Sequence, residues 1–233
     1  MIGQGFRRDA ESYFFDDFHS YNTTTWPTLT NDGSSGTVAV YETAGGANGG
    51  QLAIPTAAAA NDYQLLSTKK VFEFLASKPV IVEAKFKITD AATNSSHWCF
   101  GLTDTVTTGW ITDTTGAPPS SYKGAMIWKP TGATTVKCET ANGTTKNTNS
   151  SAFTFVSGTP LHLGLAFDPG DGTTGYVQFF FNQQGTNASF DKIPRIPVTL
   201  SGLAPMCISL GIKASGSNVE TMYVDWVTAK TYR

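Results

Sequence analysis

Charge is scarce in this chain. Only 15% of its 233 residues are Asp, Glu, Lys or Arg, against about 25% in ordinary globular proteins. The formal net charge is −2. This excludes the clustered Lys and Arg of a broad nucleic-acid footprint. Long apolar runs are missing too. None approaches the ~18 residues of a membrane-spanning helix. Neither nucleic acid nor membrane is therefore an expected partner. Cysteine is limited to Cys99, Cys138 and Cys207. An odd count points to buried free thiols in a reducing compartment, with one disulfide plus one thiol as the alternative. The opening Met-Ile-Gly-Gln-Gly-Phe-Arg-Arg has no apolar stretch, so no signal peptide is expected. Without one, the Asn-x-Ser/Thr triplets at Asn22, Asn94, Asn142, Asn149 and Asn187 read as chance in a polar surface.

Catalytic patterns are missing as well. His19, His97 and His162 are the only histidines. None has a His two or four residues on, or a Cys pair beside it, so nothing predicts a zinc site. There is no Gly-x-Ser-x-Gly, Walker loop or dinucleotide fingerprint. A glycosidase needs two carboxylates about 5–10 Å apart. On one strand these would read Glu-x-Asp or Glu-x-Glu, and neither occurs. Glu220 and Asp225 fall on opposite faces if their strand is regular, and Glu83 is followed by lysines at 85 and 87. The chain is expected to be no enzyme, with no cofactor and no metal. Asp16-Asp17 and Asp168-Pro-Gly-Asp171-Gly172 offer oxygens to calcium, but lack the alternation of an EF-hand loop. The second is explained by a turn between strands.

What the chain does have is period two. Leu161–Phe167, Tyr176–Phe181, Cys207–Lys213 and Met222–Thr228 are short apolar runs separated by Gly, Pro, Asn and Asp. Alternation puts successive side chains on opposite faces of a sheet. Val80–Ile88 alternates over its whole length, and Trp98, Phe100 and Leu102 continue the pattern. Further strands are predicted at Tyr13–Phe18, Thr37–Glu42, Gln51–Ile54, Tyr63–Ser67, Lys123–Lys129 and Thr134–Thr140. Residues 69–77 are expected to be irregular, ending at Pro79. The tract 141–151 is expected to be polar and mobile. Even strand spacing with turns between them predicts an all-β, antiparallel β-sandwich. Its domain spans 12–233, after an N-terminal arm at 1–11.

Two features invite a functional reading. The loop 103–121 is long, and long loops commonly carry a function or cover a surface. Trp26, Trp110 and Tyr122 lie in loops and are the candidates to stack on a sugar ring, or else to cap the core. The face opposite the large apolar set carries Gly101, Gly164, Ala166, Ser209 and Gly211 beside His97, Cys99 and His162. Such a face is either packed tightly under the loops or forms a ligand groove.

The whole pattern resembles the concanavalin A-like, laminin-G-like jelly-roll superfamily. Phe14-Phe15-Asp16-Asp17-Phe18, Gly-Gly-Gln-Leu-Ala-Ile at 49–54, Val80–Ile88 followed by Trp98–Leu102, Leu161–Asp168, Tyr176–Asn182 leading into Gln183-Gln184-Gly185, and Tyr223-Val224-Asp225-Trp226-Val227 carry it. Within that group Lys78–Phe86, Gly101-Leu102-Thr103-Asp104 and Val224-Asp225-Trp226 look most like virion proteins of tailed bacteriophages. The chain departs from its enzyme relatives in lacking their carboxylates, and from the legume lectins in lacking their acidic metal loop. The resemblance implies a capsid decoration protein, assembled in the host cytoplasm. It would bind the major capsid protein or other virion proteins and stabilise the head. Symmetric self-association, a trimer for example, suits such a role. Met1, Ile2, Phe6, Arg7 and Arg8 are then the expected anchor, with Phe6 as the apolar plug. The alternative is an adhesin that binds a surface glycan through the small-residue face or the 103–121 loop.

Overall fold

The computed structural model describes residues 10–31, 37–41, 50–92, 95–107, 109–112, 115–183 and 190–232. Within these are β1 (Ala10–Asp16), β2 (Thr28–Asn31), β3 (Ala39–Tyr41), β4 (Gln51–Pro55), β5 (Tyr63–Ser67), β6 (Val80–Thr89), β7 (Ser96–Thr103) and β8 (Lys123–Lys129). Then follow β9 (Thr135–Asn142), β10 (Lys146–Thr154), β11 (Leu161–Asp168), β12 (Thr174–Gln183), β13 (Asp191–Lys192), β14 (Ile196–Thr199), β15 (Cys207–Ala214) and β16 (Thr221–Tyr232). No helix occurs among the described residues.

The strands form two antiparallel sheets. One runs β13-β12-β11-β6-β16-β4-β3, with β14 also on β12 and β1 also on β16. The other runs β10-β9-β8-β7-β15-β5-β2. They are the two layers of the antiparallel β-sandwich that the alternation predicts. Alternation sets the core. In β6, Val80, Val82, Ala84, Phe86 and Ile88 are buried while the residues between them are partly exposed. They meet Trp98, Phe100 and Leu102 of β7 across the sandwich, with Phe86 edge-on to Trp98 at 5.7 Å. Fully burying a side chain of this size contributes roughly 1.5–3 kcal/mol.

The turn between β11 and β12 is built as its sequence suggests. Gly170 donates to Asp168 Oδ1, and Thr173 and Thr174 donate to Asp171 Oδ1 at 2.8 and 2.7 Å. These backbone donors hold the Asp171 carboxyl below the ordinary range. The carboxylates serve the turn. Asp16 is likewise committed, accepting from Phe18 N at 2.9 Å and Trp26 Nε1 at 2.8 Å.

Several expectations need correction. The tract 141–151 is not a mobile loop: β10 begins at Lys146 and pairs with β9. Asn142 Oδ1 closes the turn by accepting from Thr144 and Thr145 N. β10 is an edge strand largely open to solvent, so it shows no alternation. Only Phe153 stands out, stacked on Phe181 at 4.1 Å. Strand β14 was not legible either, since Pro197 interrupts it. Residues 69–77 are irregular, with Phe72 bridging Met206 and Phe74 stacked on Phe167. Ala10 already pairs with Tyr232, inside the stretch 1–11 read as an arm. Residues 1–9 lie outside the described residues.

All three cysteines are free and buried. Burial pushes each thiol up from its ordinary value, and a thiol kept protonated is a poor nucleophile. Cys207 lines a cavity of about 450 Å3 beside Lys69 and Lys70. A disulfide-exchange reagent is therefore expected to reach Cys207 first, and Cys99 and Cys138 only on unfolding. Rapid native labelling of Cys99, followed by mass spectrometry, would contradict this packing.

Candidate functional site

The two sheets present very different outer faces. On the seven-stranded sheet the outer face is covered. Tyr63, Leu65, Cys99, Met126, Trp128 and Ala141 form a second apolar cluster there, closed by Trp110, Ile111 and Tyr122 from the loop after β7. The loop is tied down at several points. Lys213 is buried and donates to Ile111 O at 3.0 Å. Tyr63 OH accepts from Gly109 N at 2.9 Å. Lys146 pairs with Glu139 at 3.1 Å and donates to Pro118 O. Gly116 sits so close to His97 that a Cβ there would lie 1.9 Å from its Nδ1. The loop fits only because that residue, at φ +65, is glycine.

The sequence-derived sugar candidates therefore go elsewhere. Trp110 and Tyr122 are 1% and 2% exposed, packed edge to face within this cluster. Trp26 is also 1% exposed and packs on Phe14 and Phe18 in the main core. None keeps a ring face for a sugar, so their expected stacking role is corrected. A large indole between loop and sheet is removed from water because that burial is strongly favourable. The expected anchor residues Met1, Ile2, Phe6, Arg7 and Arg8 fall outside the described residues. The small-residue set is also split. Gly101, Ser209, Gly211, His97 and Cys99 lie on the seven-stranded sheet, whereas His162, Gly164 and Ala166 lie on the nine-stranded one.

The outer face of the nine-stranded sheet is not covered by any loop among the described residues. Its central feature comes from an irregularity in β16. Val224 pairs with Phe86, but Trp226 pairs with Lys85, so Asp225 is an extra residue. Val224 and Val227 both point to the core. The bulge thus sends Asp225 and Trp226 to the outer side together. Cross-strand register then lines up Trp226, Lys85, His162 and Asn182 on β16, β6, β11 and β12. With Pro160 they line a cleft of about 350 Å3.

Its polar groups are paired. Lys85 Nζ meets Asp225 Oδ2 at 2.8 Å, and His162 Nε2 meets Glu83 Oε2 at 2.9 Å. The imidazole lies edge-on between Trp226 at 4.8 Å and Phe190 at 4.5 Å. Phe190 is 40% exposed. Phe180 lies over Gly164, where a Cβ would come within 2.2 Å of its ring. The arrangement offers an indole, a fixed imidazole, an amide and two oriented carboxylates to a polar ligand. Glu83 and Asp225 do share one face. The sequence argument missed this because it searched along single strands, and these carboxylates come from β6 and β16, which only the fold pairs. No group of three or more His, Cys, Asp or Glu side chains suited to a metal occurs among the described residues.

A buried polar cluster lies away from the cleft. Glu220 is fully buried, accepts from Ala91 N at 2.8 Å and from Ser95 Oγ, and lies near Lys129. Burial raises its pKa more than these partners lower it. Its folded value exceeds the unfolded one, so its contribution is fully present at low pH. That contribution is lost as pH rises through the folded value. Glu220→Gln is expected to flatten the fall in stability as pH rises above the ordinary carboxylate range. Urea midpoints across that rise measure it; an unchanged slope would reject the assignment.

No protein-family model matches the chain, and no curated protein does. Solved structures do. Lectin II from Ulex europaeus aligns over 97% of this chain and 100% of its own, at TM-score 0.65 and 10% identity. The basic winged bean lectin, solved with Tn-antigen, aligns over 94% and 98% at TM-score 0.64 and 13% identity. An endo-beta-1,4-glucuronan lyase from the fungus Trichoderma reesei aligns over 95% of both chains at TM-score 0.59 and 11% identity. At such identities the likeness is one of fold: this chain shares the jelly-roll sandwich of the legume lectins.

Proposed function

We propose that this protein binds carbohydrate, with a sugar ring seated in the cleft of Trp226, His162, Asn182 and Lys85. The observation that carries it is the β16 bulge. It delivers a partly exposed indole beside a row of fixed hydrogen-bonding groups, on the face that no loop among the described residues covers. A sugar ring has an apolar C–H face and a rim of hydroxyls. Trp226 offers a surface for the first. Glu83, Asp225, Asn182 and Lys85 offer acceptors and donors for the second. A cleft of this size with few convergent polar groups is the usual form of a small-ligand site. Fold neighbours that are lectins, one solved with Tn-antigen, support the reading.

The test is affinity electrophoresis in native gels containing mixed-linkage β-glucan, xyloglucan or galactomannan, with polygalacturonate as an acidic comparison. Retardation is expected in at least one neutral gel. No retardation in any of them would reject the proposal. Shortening of the polysaccharide during incubation would instead show that the carboxylates act as catalysts. The virion and trimer readings rest on sequence resemblance alone, and the fold neighbours lend them no support.

A further inference from the structure

The open face extends well beyond the cleft. Its next two cross-strand rows read Phe15, Thr228, Glu83, Gly164, Phe180 and then Tyr13, Lys230, Ile81, Ala166, Gln178. Tyr13 and Phe15 are the outward-facing aromatics of β1, 60% and 50% exposed. Their rings are parallel within 5° at 6.3 Å. Phe15 is diagonal to Trp226, and Tyr13 lies opposite a residue four positions past Trp226 on β16. At ~3.4 Å per residue the aromatic track covers about 14 Å.

We infer that Tyr13 and Phe15 form a second subsite and that the preferred ligand is an extended neutral polysaccharide chain, which runs from Trp226 along β16 and β1. This rests on the carbohydrate reading of the cleft. Three observations favour a glycan chain over a protein partner. Trp226, Phe15 and Tyr13 follow the strand direction in a line that leads away from the ring cluster of His162, Phe180 and Phe190. Hydroxyl, carboxylate and amide groups alternate with them, as a polymer of ring faces and hydroxyls needs. The face is also continuous with the cleft through the shared row of Phe15, Thr228 and Glu83. Neutrality follows from the cations of this face. Lys85 is held by Asp225, Lys87 lies over Tyr223 and Lys230 over Tyr13. Each of these is engaged, and the exposed Lys192 stands on β13 at the far, Phe180 end of its row. Along the line of Trp226, Phe15 and Tyr13, a uronic acid carboxylate therefore meets no cation, among the described residues, free to fork onto it.

The test compares the protein with Tyr13→Ala/Phe15→Ala in the same gels, with free glucose, galactose, mannose and xylose as competitors. Both residues are exposed, so the fold should survive, and an unchanged melting temperature checks this. The double variant is expected to lose about tenfold in affinity for the retarding polysaccharide. Inhibition constants of the monosaccharides should stay unchanged, and polygalacturonate should bind neither form. Equal retardation of both proteins would overturn the second subsite while leaving the cleft intact. Retardation by polygalacturonate alone would overturn the neutral class. Self-association by ultracentrifugation that the double variant abolishes would make this face a contact between copies, and would equally overturn the proposal. No retardation of the unmodified protein would mean that the carbohydrate reading itself has failed.

Discussion

Trp226→Ala is expected to lower carbohydrate affinity at least about 30-fold, the effect of losing an anchor of about 2 kcal/mol. Trp226 is the one tryptophan of the five that is not buried. Trp26, Trp98, Trp110 and Trp128 are all at most 4% exposed. The bulge places its indole beside His162, with Lys85 opposite it in register. The alanine variant keeps the bulge and the ion pairs but removes the apolar surface. Stability should change little, since the side chain lies on the outer face. The same residue gives a direct readout. A saturating neutral polysaccharide should shield the one solvent-accessible indole from iodide quenching, and the shielding should vanish in the variant. Retained affinity with unchanged shielding would place the sugar elsewhere.

Trp110→Ala is expected to destabilise the fold by about 3–5 kcal/mol, the usual cost of removing a buried indole. At an m-value near 2 kcal/mol/M this lowers the urea midpoint by about 2 M. The residue closes the apolar cluster on the seven-stranded sheet, edge-on to Tyr122. Its loop carries the carbonyl that receives the buried Lys213 ammonium. Without the indole, the loop loses its main apolar hold and that ammonium is left facing a loosened lid. Carbohydrate affinity at low temperature should be unaffected, because the cleft lies on the other sheet. A stability loss under about 1 kcal/mol would show that the loop is only laid over the sheet. Loss of binding without loss of stability would return Trp110 to the role the sequence suggested.

The two tryptophans show where sequence reasoning went astray. Trp110 stands in a Thr-, Gly- and Pro-rich loop, which reads as exposed. Nothing local reveals that Tyr63, Met126 and Trp128 wait beneath it on two different strands. Trp226 stands in a strand and reads as core. Yet its neighbours carried a usable signal: Met222, Val224, Val227 and Ala229 are apolar at spacings of two, three and two. That step of three marks the bulge, and a regular-strand assumption hid it. His162 was noted for its small neighbours Gly164 and Ala166, but its carboxylate partner Glu83 lies 79 residues away. A pair like that exists only through the register of β6 and β11.

The sequence by itself determined most of the strands, the inward faces of those that alternate, and the sandwich class. Period-two alternation, the Asp- and Gly-built turns and the lack of helical periodicity are local properties, and each strand carries its own record of which side is apolar. The tertiary structure decided what the outward sides become. Alternation says that two residues share a face, but not what lies over that face. Here one outer face is sealed by a loop that closes on a second apolar cluster. The other is left open by the described residues, with a bulge aligning Trp226, Lys85, His162 and Asn182 across four strands. Covering and register depend on contacts between distant segments, so they form only when the chain is folded.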